Sequence, residues 1–330
     1  MYTMYNVLAR LIILLVVAFL FQFTPNAQAA GEYPTRPIEL IFPYASGGSA
    51  DLRVRALAPK MGEILGQPVV VINKPGASGT LAATLVAKAK PDGYTIGYIT
   101  ATNLFAPLQL EKIGYNPLTD FTYIAGSGVQ PFAFLVRSDA PWKTIGEFID
   151  YAKKNPGMIK YGSAGMNSAS HLYGEMFGKV KNLKLVHVPF KGDQESSTAL
   201  LGGHISMASL AAFAHYVRAG KLSVLVVFME NRMAAFPQIP TMTEIGFPYD
   251  TRAGDVMGHM GPKGLPPEIL KKLENAVKQA VKTPEYAQLM EQLGSEIRFR
   301  DSEEFTKLIH EIYPQTAEMI RLIGLSKPNP

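Results

Sequence analysis

From Pro37 onward, short β-branched runs alternate with helix-length patterns, and this alternation restricts the chain to a small set of folds. Ile38-Glu39-Leu40-Ile41-Phe42 reads as a strand. Leu57, Met61, Ile64 and Leu65 then share one face of a helix that ends near Gly66. Val69-Val70-Val71-Ile72 is a continuous apolar run, as in a parallel strand buried on both faces. Pro75-Gly76-Ala77-Ser78-Gly79 turns into a helix over 80–90, stopped by Pro91-Asp92-Gly93, and Tyr94 to Ile99 is the next strand. The pattern restarts at Phe132, with strands near 132–136, 159–162, 185–188 and 222–228 and helices over 144–154 and 194–201. The last part is helical, over 267–281, 284–293 and 302–323, with a kink expected at Pro314. These readings predict an α/β protein of two lobes, each a sheet flanked by helices. The first lobe is expected to combine residues 30–128 with 255–330, the second being the insert 129–254.

Residues 1–29 stand apart from that scheme. Arg10 precedes the apolar run Leu11 to Phe21, and Ala27-Gln28-Ala29 offers small residues for cleavage. This is the layout of a secretory signal peptide, cleaved after Ala29, and the run is shorter than the roughly 20 residues of a spanning helix. Cys is absent, which removes disulfides, a thiol nucleophile and Cys-ligated metals. Export without disulfides fits a bacterial periplasm. The formal charge of +5 falls to +4 once Arg10 leaves with the leader. Lys and Arg are scattered among Asp and Glu, with none of the clustering that nucleic-acid binding needs.

Two segments carry the chemistry. Phe42-Pro43-Tyr44-Ala45-Ser46-Gly47-Gly48-Ser49-Ala50-Asp51 runs from a strand into a helix. Gly47 and Gly48 let the backbone bend and leave N–H groups outward, and the helix N-terminus adds partial positive charge. Ser49 is placed to cap the first turn, with Asp51 inside it. Such a loop binds a carboxylate, a phosphate or nothing. The second segment, Gly162-Ser163-Ala164-Gly165-Met166-Asn167-Ser168-Ala169-Ser170-His171, repeats the arrangement, with Ser168 as N-cap and His171 in the first turn. One loop per lobe facing a common cleft suits a carboxylated ligand better than either alone. Lys191, in Phe190-Lys191-Gly192-Asp193 after another strand, is a further candidate at the cleft.

Enzyme signatures are missing. Gly-x-Ser-x-Gly does not occur, nor does a dinucleotide or Walker loop, and the six histidines show no metal spacing. No cofactor, metal or catalytic residue is expected. A periplasmic hydrolase would need a nucleophile and base that no motif supplies.

The ordered set of motifs resembles the substrate-binding proteins of tripartite tricarboxylate transporters, the Bug family. It includes Gly47-Gly48-Ser49-Ala50-Asp51, Asn73-Lys74-Pro75-Gly76-Ala77-Ser78-Gly79 and Lys90-Pro91-Asp92-Gly93-Tyr94-Thr95. Tyr115-Asn116-Pro117-Leu118-Thr119-Asp120-Phe121, His187-Val188-Pro189-Phe190-Lys191-Gly192 and Leu200-Leu201-Gly202-Gly203-His204 continue it. The resemblance implies a two-lobed periplasmic-binding-protein fold, type II-like, with a hinge between the lobes. It also implies a monomeric receptor that closes on a small organic carboxylate and delivers it to integral membrane transporter subunits, or presents it to a sensor kinase. By position, the implied ligand residues are Ser46, Gly47, Gly48, Ser49 and Asp51 in one lobe and Ser163, Gly165, Asn167, Ser168 and His171 in the other. Asp255 and Arg252, in the variable stretch between Pro248 and Pro262, are placed to tune ligand choice. Ser46 and Ser206 depart from the family pattern, Ser206 standing where an Asp is usual. Which carboxylate is bound is not legible.

Overall fold

The computed structural model describes residues 32–105, 108, 113–211, 213–248 and 251–325. The leader and its cleavage site lie outside the described residues, as does the side chain of Asp255. The first sheet is built from β1 (Ile38–Phe42), β2 (Val69–Asn73), β3 (Thr95–Thr100), β4 (Phe121–Gly126) and β10 (Met257–Pro262), in the order β2-β1-β3-β10-β4. The second contains β5 (Phe132–Arg137), β6 (Ile159–Ser163), β7 (Leu185–Pro189), β8 (Met207–Leu210) and β9 (Leu222–Phe228), in the order β7-β6-β8-β5-β9. The two orders are the same pattern. Three parallel strands are followed by one antiparallel strand, and that strand is the first to arrive after the chain changes sheet.

Helices cover the faces because their apolar stripes need burial. α1 (Ser49–Leu65) buries Val54, Leu57 and Met61 and packs against α8 (Pro267–Ala280), which buries Ile269, Leu273 and Val277. α2 (Thr80–Ala87) and the short α3 (Ala101–Phe105) flank β3. In the second lobe α4 (Ile145–Lys154), α5 (Ala169–Lys181), α6 (Asp193–Leu201) and α7 (Ala214–Arg218) surround the sheet. Phe134, Phe177 and Phe228 form edge-to-face pairs with centroids 4.9 and 4.8 Å apart where α5 covers the β5–β9 side of this sheet. α9 (Pro284–Gln292) and α10 (Ser302–Ile323) close the chain. α10 starts from a capping box between Asp301 and Glu304 and runs as one helix through Pro314. It packs on β4 and also reaches α5 of the other sheet.

The passages between sheets are laced together. Ser127 N donates to Met257 O (2.8 Å), Gln130 N to Gly254 O (2.9 Å) and Val129 N to Glu296 O (2.8 Å). The buried Arg53 guanidinium ties α1 to this region through Ser295 Oγ (3.2 Å) and Gln130 Oε1. A rotation of one sheet against the other therefore bends three adjacent strands of chain, which suits a hinge better than a sliding contact.

Candidate functional site

Both glycine turns leave the C-terminal ends of parallel strands, where open α/β sheets hold their ligands. In the first, Gly47 has φ +90° and takes the left-handed turn, whereas Gly48 has an ordinary extended backbone (φ −77°, ψ 165°). Gly48, not Ser49, is the N-cap of α1, and no side chain caps the helix there. The expected Ser49 cap is thus replaced by a contact made from behind the loop: Gly47 N donates to Asp51 Oδ2 (3.0 Å). The same carboxylate accepts from Arg55 Nε (2.9 Å) and from Asn73 Nδ2 (3.0 Å), and Asn73 Nδ2 also donates to Tyr44 O (2.9 Å). Asp51 is buried, and burial alone would raise its pKa. The hydrogen bonds from Arg55, Asn73 and Gly47 outweigh that and hold the carboxyl below its ordinary value. Asp51 therefore shapes the loop, its lone pairs already engaged. Ser46, Gly47 and Gly48 are exposed, and the N–H groups of Gly48, Ser49 and Ala50 have no acceptor among the described residues.

The second loop is wound differently. Ser168 caps α5 as expected, accepting from His171 N (3.2 Å) and donating to Gly165 O (2.7 Å). Ala164 N donates to Ser170 Oγ (2.9 Å), Gly165 N to Ser163 Oγ (3.2 Å) and Asn167 N to His171 Nδ1 (3.2 Å). Gly165 and Asn167 both have positive φ, +127° and +61°. Most donors of this loop are spent on its own side chains. Ser163 and His171 are buried inside it and do not open to a cleft. Lys191 is exposed, and its backbone N–H donates to Glu195 Oε2 (3.1 Å).

Between the sheets, Ala169 N at the start of α5 donates to Thr102 Oγ1 of α3 at 3.4 Å. Beside it, Tyr44 Oη and Thr100 Oγ1 lie 2.6 Å apart, and Thr100 Oγ1 donates to Asn103 Oδ1 (2.9 Å). Burial pushes the Tyr44 phenol up, and Asp193 at the N-terminus of α6 adds to that. Arg55 and Thr102 join this candidate site without any motif marking them, whereas Tyr44 and Asn73 lie inside quoted motifs that gave no sign of their bracing contacts.

Behind the second loop a stack runs Tyr161–His187–His171, with centroids 4.9 and 4.1 Å apart. Ser163 Oγ lies 2.7 Å from His187 Nε2, the spacing of a serine–histidine dyad. Two features set it apart from a nucleophile. Ser163 is fully buried, and burial together with the neighbouring His171 lowers the His187 pKa to about 4, too low for a useful base near neutrality. Among the described residues no group of three His, Asp or Glu could hold a metal, and no helix is long and apolar enough to cross a membrane.

Two mixed sheets of one strand order, each sending a glycine turn into a helix above its parallel strands, define a two-lobed solute-binding scaffold. The model of the tripartite tricarboxylate transporter family receptor matches residues 53–325, and the chain belongs to that family. A protein of Cupriavidus necator encoded in the gbd 5' region is 38% identical over 92% of each chain. The periplasmic binding protein BugD superposes with a TM-score of 0.77 at 32% identity, over 90% of this chain and 100% of its own. MatC from Rhodopseudomonas palustris, solved with malate, has a TM-score of 0.75 at 28% identity, over 87% of this chain and 100% of its own. An R. palustris protein solved with adipate reaches 0.78 at 25% identity, over 89% of this chain and 99% of its own.

Proposed function

We propose that the protein is a periplasmic receptor for a small dicarboxylate, which it holds between its lobes and delivers to tripartite-transporter membrane subunits. The observation that carries this reading is the set of unspent N–H groups at Gly48, Ser49 and Ala50, at a helix N-terminus whose loop is braced by Asp51. One ligand carboxylate rests there. The second lies toward Thr102 and the N-terminus of α5, where the ligand replaces the Thr102–Ala169 contact. The malate- and adipate-bound relatives support the ligand class. The lobes are residues 30–128 with 255–330, and 129–254, turning about the laced passages. Closure is the whole mechanism, with no bond made or broken. In that scheme the leader is removed after Ala29.

A thermal-shift panel of malate, adipate, succinate, citrate and neutral diesters tests the reading. A true ligand at 100 times its dissociation constant adds about 2.7 kcal/mol of stability. A rise in Tm with an acid, and none with its diester, is expected. A panel in which no carboxylate moves Tm would sink the proposal.

The two glycines of the first loop separate cleanly. Gly47→Val forces a β-branched residue into a left-handed turn at a cost of about 1–2 kcal/mol, so ligand affinity should fall about tenfold in a protein that still folds. Gly48→Ala, at an ordinary φ with open space around the added carbon, should fold normally. Calorimetry on both variants decides it, and equal affinities would remove the loop from the site.

A further inference from the structure

Residues 129–254 carry 13 Lys and Arg against 9 Asp and Glu, while the remainder after Ala29 carries 18 of each, so the charge excess sits in the second lobe. Much of it gathers at one end. Ile159 pairs with Leu185 and Lys160 with Val186 in parallel register, and Gly157 N donates to Lys184 O (2.9 Å). The segments 157–160 and 184–186 therefore lie side by side at the starting ends of β6 and β7. The glycine loop Ser163–Ser168 leaves from the opposite end of β6. Lys153 and Lys154 close α4 just before this edge, and Lys179 stands in the last turn of α5 just before Lys184. Lys153, Lys154, Lys160, Lys179 and Lys184 are all exposed, and none is in an ion pair among the described residues. Helix dipoles account for lysines at the ends of α4 and α5. They do not account for Lys160 and Lys184, which lie on and beside strands.

Among these lysines stands Met158, at 66% the most exposed large apolar side chain among the described residues, with Val186 exposed at 40% on the neighbouring edge strand. Flexible lysines around one protruding apolar side chain are the makings of a surface that adsorbs to anionic lipid: the ammonium groups meet the headgroups and Met158 enters the interface. A protein partner is disfavoured by the residue types. Protein interfaces are depleted in Lys and enriched in Arg and aromatics around a desolvated core, and this patch is made of exposed lysines around one methionine.

We infer that the Met158 tip of the second lobe docks on the anionic phospholipid leaflet that faces it, holding the receptor at the membrane with its ligand loops directed away. The acidic residues toward this end of the lobe are Asp150 on α4, Glu175 on α5, whose Oε1 accepts from Tyr161 Oη (2.6 Å), and Asp139, which is paired with Arg137 at the end of β5.

The test is co-sedimentation of protein purified from the periplasmic fraction with vesicles of phosphatidylglycerol and phosphatidylcholine, against pure phosphatidylcholine. Binding to the anionic vesicles alone, abolished by 0.5 M salt, is expected. Each lysine near such a surface contributes about fivefold in partition. Lys153→Gln, Lys154→Gln, Lys160→Gln and Lys184→Gln together should lower it more than about a hundredfold at low salt. Met158→Ser should lower it further at constant charge, and the thermal response to ligand should stay unchanged in every variant. Wild-type protein that sediments with neither vesicle would overturn the inference. So would a quadruple variant that binds anionic vesicles as well as wild type, or capture only by vesicles containing membrane protein.

Discussion

Lowering the pH from 7.5 to 4.5 should cost this protein several kcal/mol of folding stability, read as a fall in urea midpoint at constant m. Burial, followed by the charge of His171, lowers the His187 pKa to about 4 from an ordinary 6.5. Burial alone brings His259 to about 4, and that ring is fully enclosed with neither nitrogen hydrogen-bonded. The unfolded chain takes up protons at these sites below pH 6.5, whereas the folded chain resists until about pH 4. The stabilisation is therefore complete above pH 6.5 and is lost as the pH falls toward 4. Each histidine contributes at most about 3 kcal/mol. His171 shifts in the same direction, by burial opposed by Glu175, and its Nδ1 accepts from Asn167 only while unprotonated. The lowered carboxyl of Asp51 acts at more acidic pH, so it does not confuse this window. His259→Leu should flatten the profile by its share. Identical midpoints at pH 7.5 and 4.5 would mean that these rings are not buried neutral.

Gly174→Ala is expected to destabilise the protein by about 3 kcal/mol, near the upper end for an overpacked core. A Cβ there would stand 2.1 Å from Tyr161 Cε2, and the tyrosine has little freedom to yield. Its hydroxyl donates to Glu175 and its ring stacks on His187, so displacement carries through to Ser163 and the second loop. Gly178→Ala, one turn along the same helix, would meet Leu183 O at 3.4 Å and the Leu185 side chain at 3.7 Å, ordinary van der Waals contacts. It should be neutral or gain up to about 1 kcal/mol of helix propensity. Urea unfolding of the two variants separates packing from propensity. Equal stabilities would show that Tyr161 moves aside.

The repeated strand–helix rhythm was legible because β1, β2, β3 and β9 are rich in β-branched residues. β10 was not. Met257-Gly258-His259-Met260-Gly261-Pro262 has no β-branched residue, and its glycines are demanded from elsewhere in the fold. A Cβ on Gly258 would lie 2.3 Å from Ala125 O and 2.6 Å from Phe305, and one on Gly261 would lie 2.5 Å from Leu265. Tertiary packing overrides strand propensity there. β8, Met207-Ala208-Ser209-Leu210, is hidden for a similar reason, being buried at every position without alternation. Both site loops could be found from glycines that follow strands. Their bracing could not, because Asn73 is 22 residues from Asp51 and His187 is 24 from Ser163. The likeness of Gly47 to Gly48 in sequence also concealed that only Gly47 needs a left-handed backbone.

The place of β10 in the first sheet governs when the emerging chain can complete that sheet. β4 has its sheet partner in β10, which belongs to the last quarter of the chain, while β5 to β9 are contiguous. The half of the molecule that emerges second therefore has all its strands before the half that emerges first. Until Met257–Pro262 arrives, β4 is an edge without a neighbour and β3 is open on one side. The glycine loop after β1 thus rests on a layer that only the C-terminal segment completes, and a chain cut short before Met257 lacks a finished support for it however intact its glycines are.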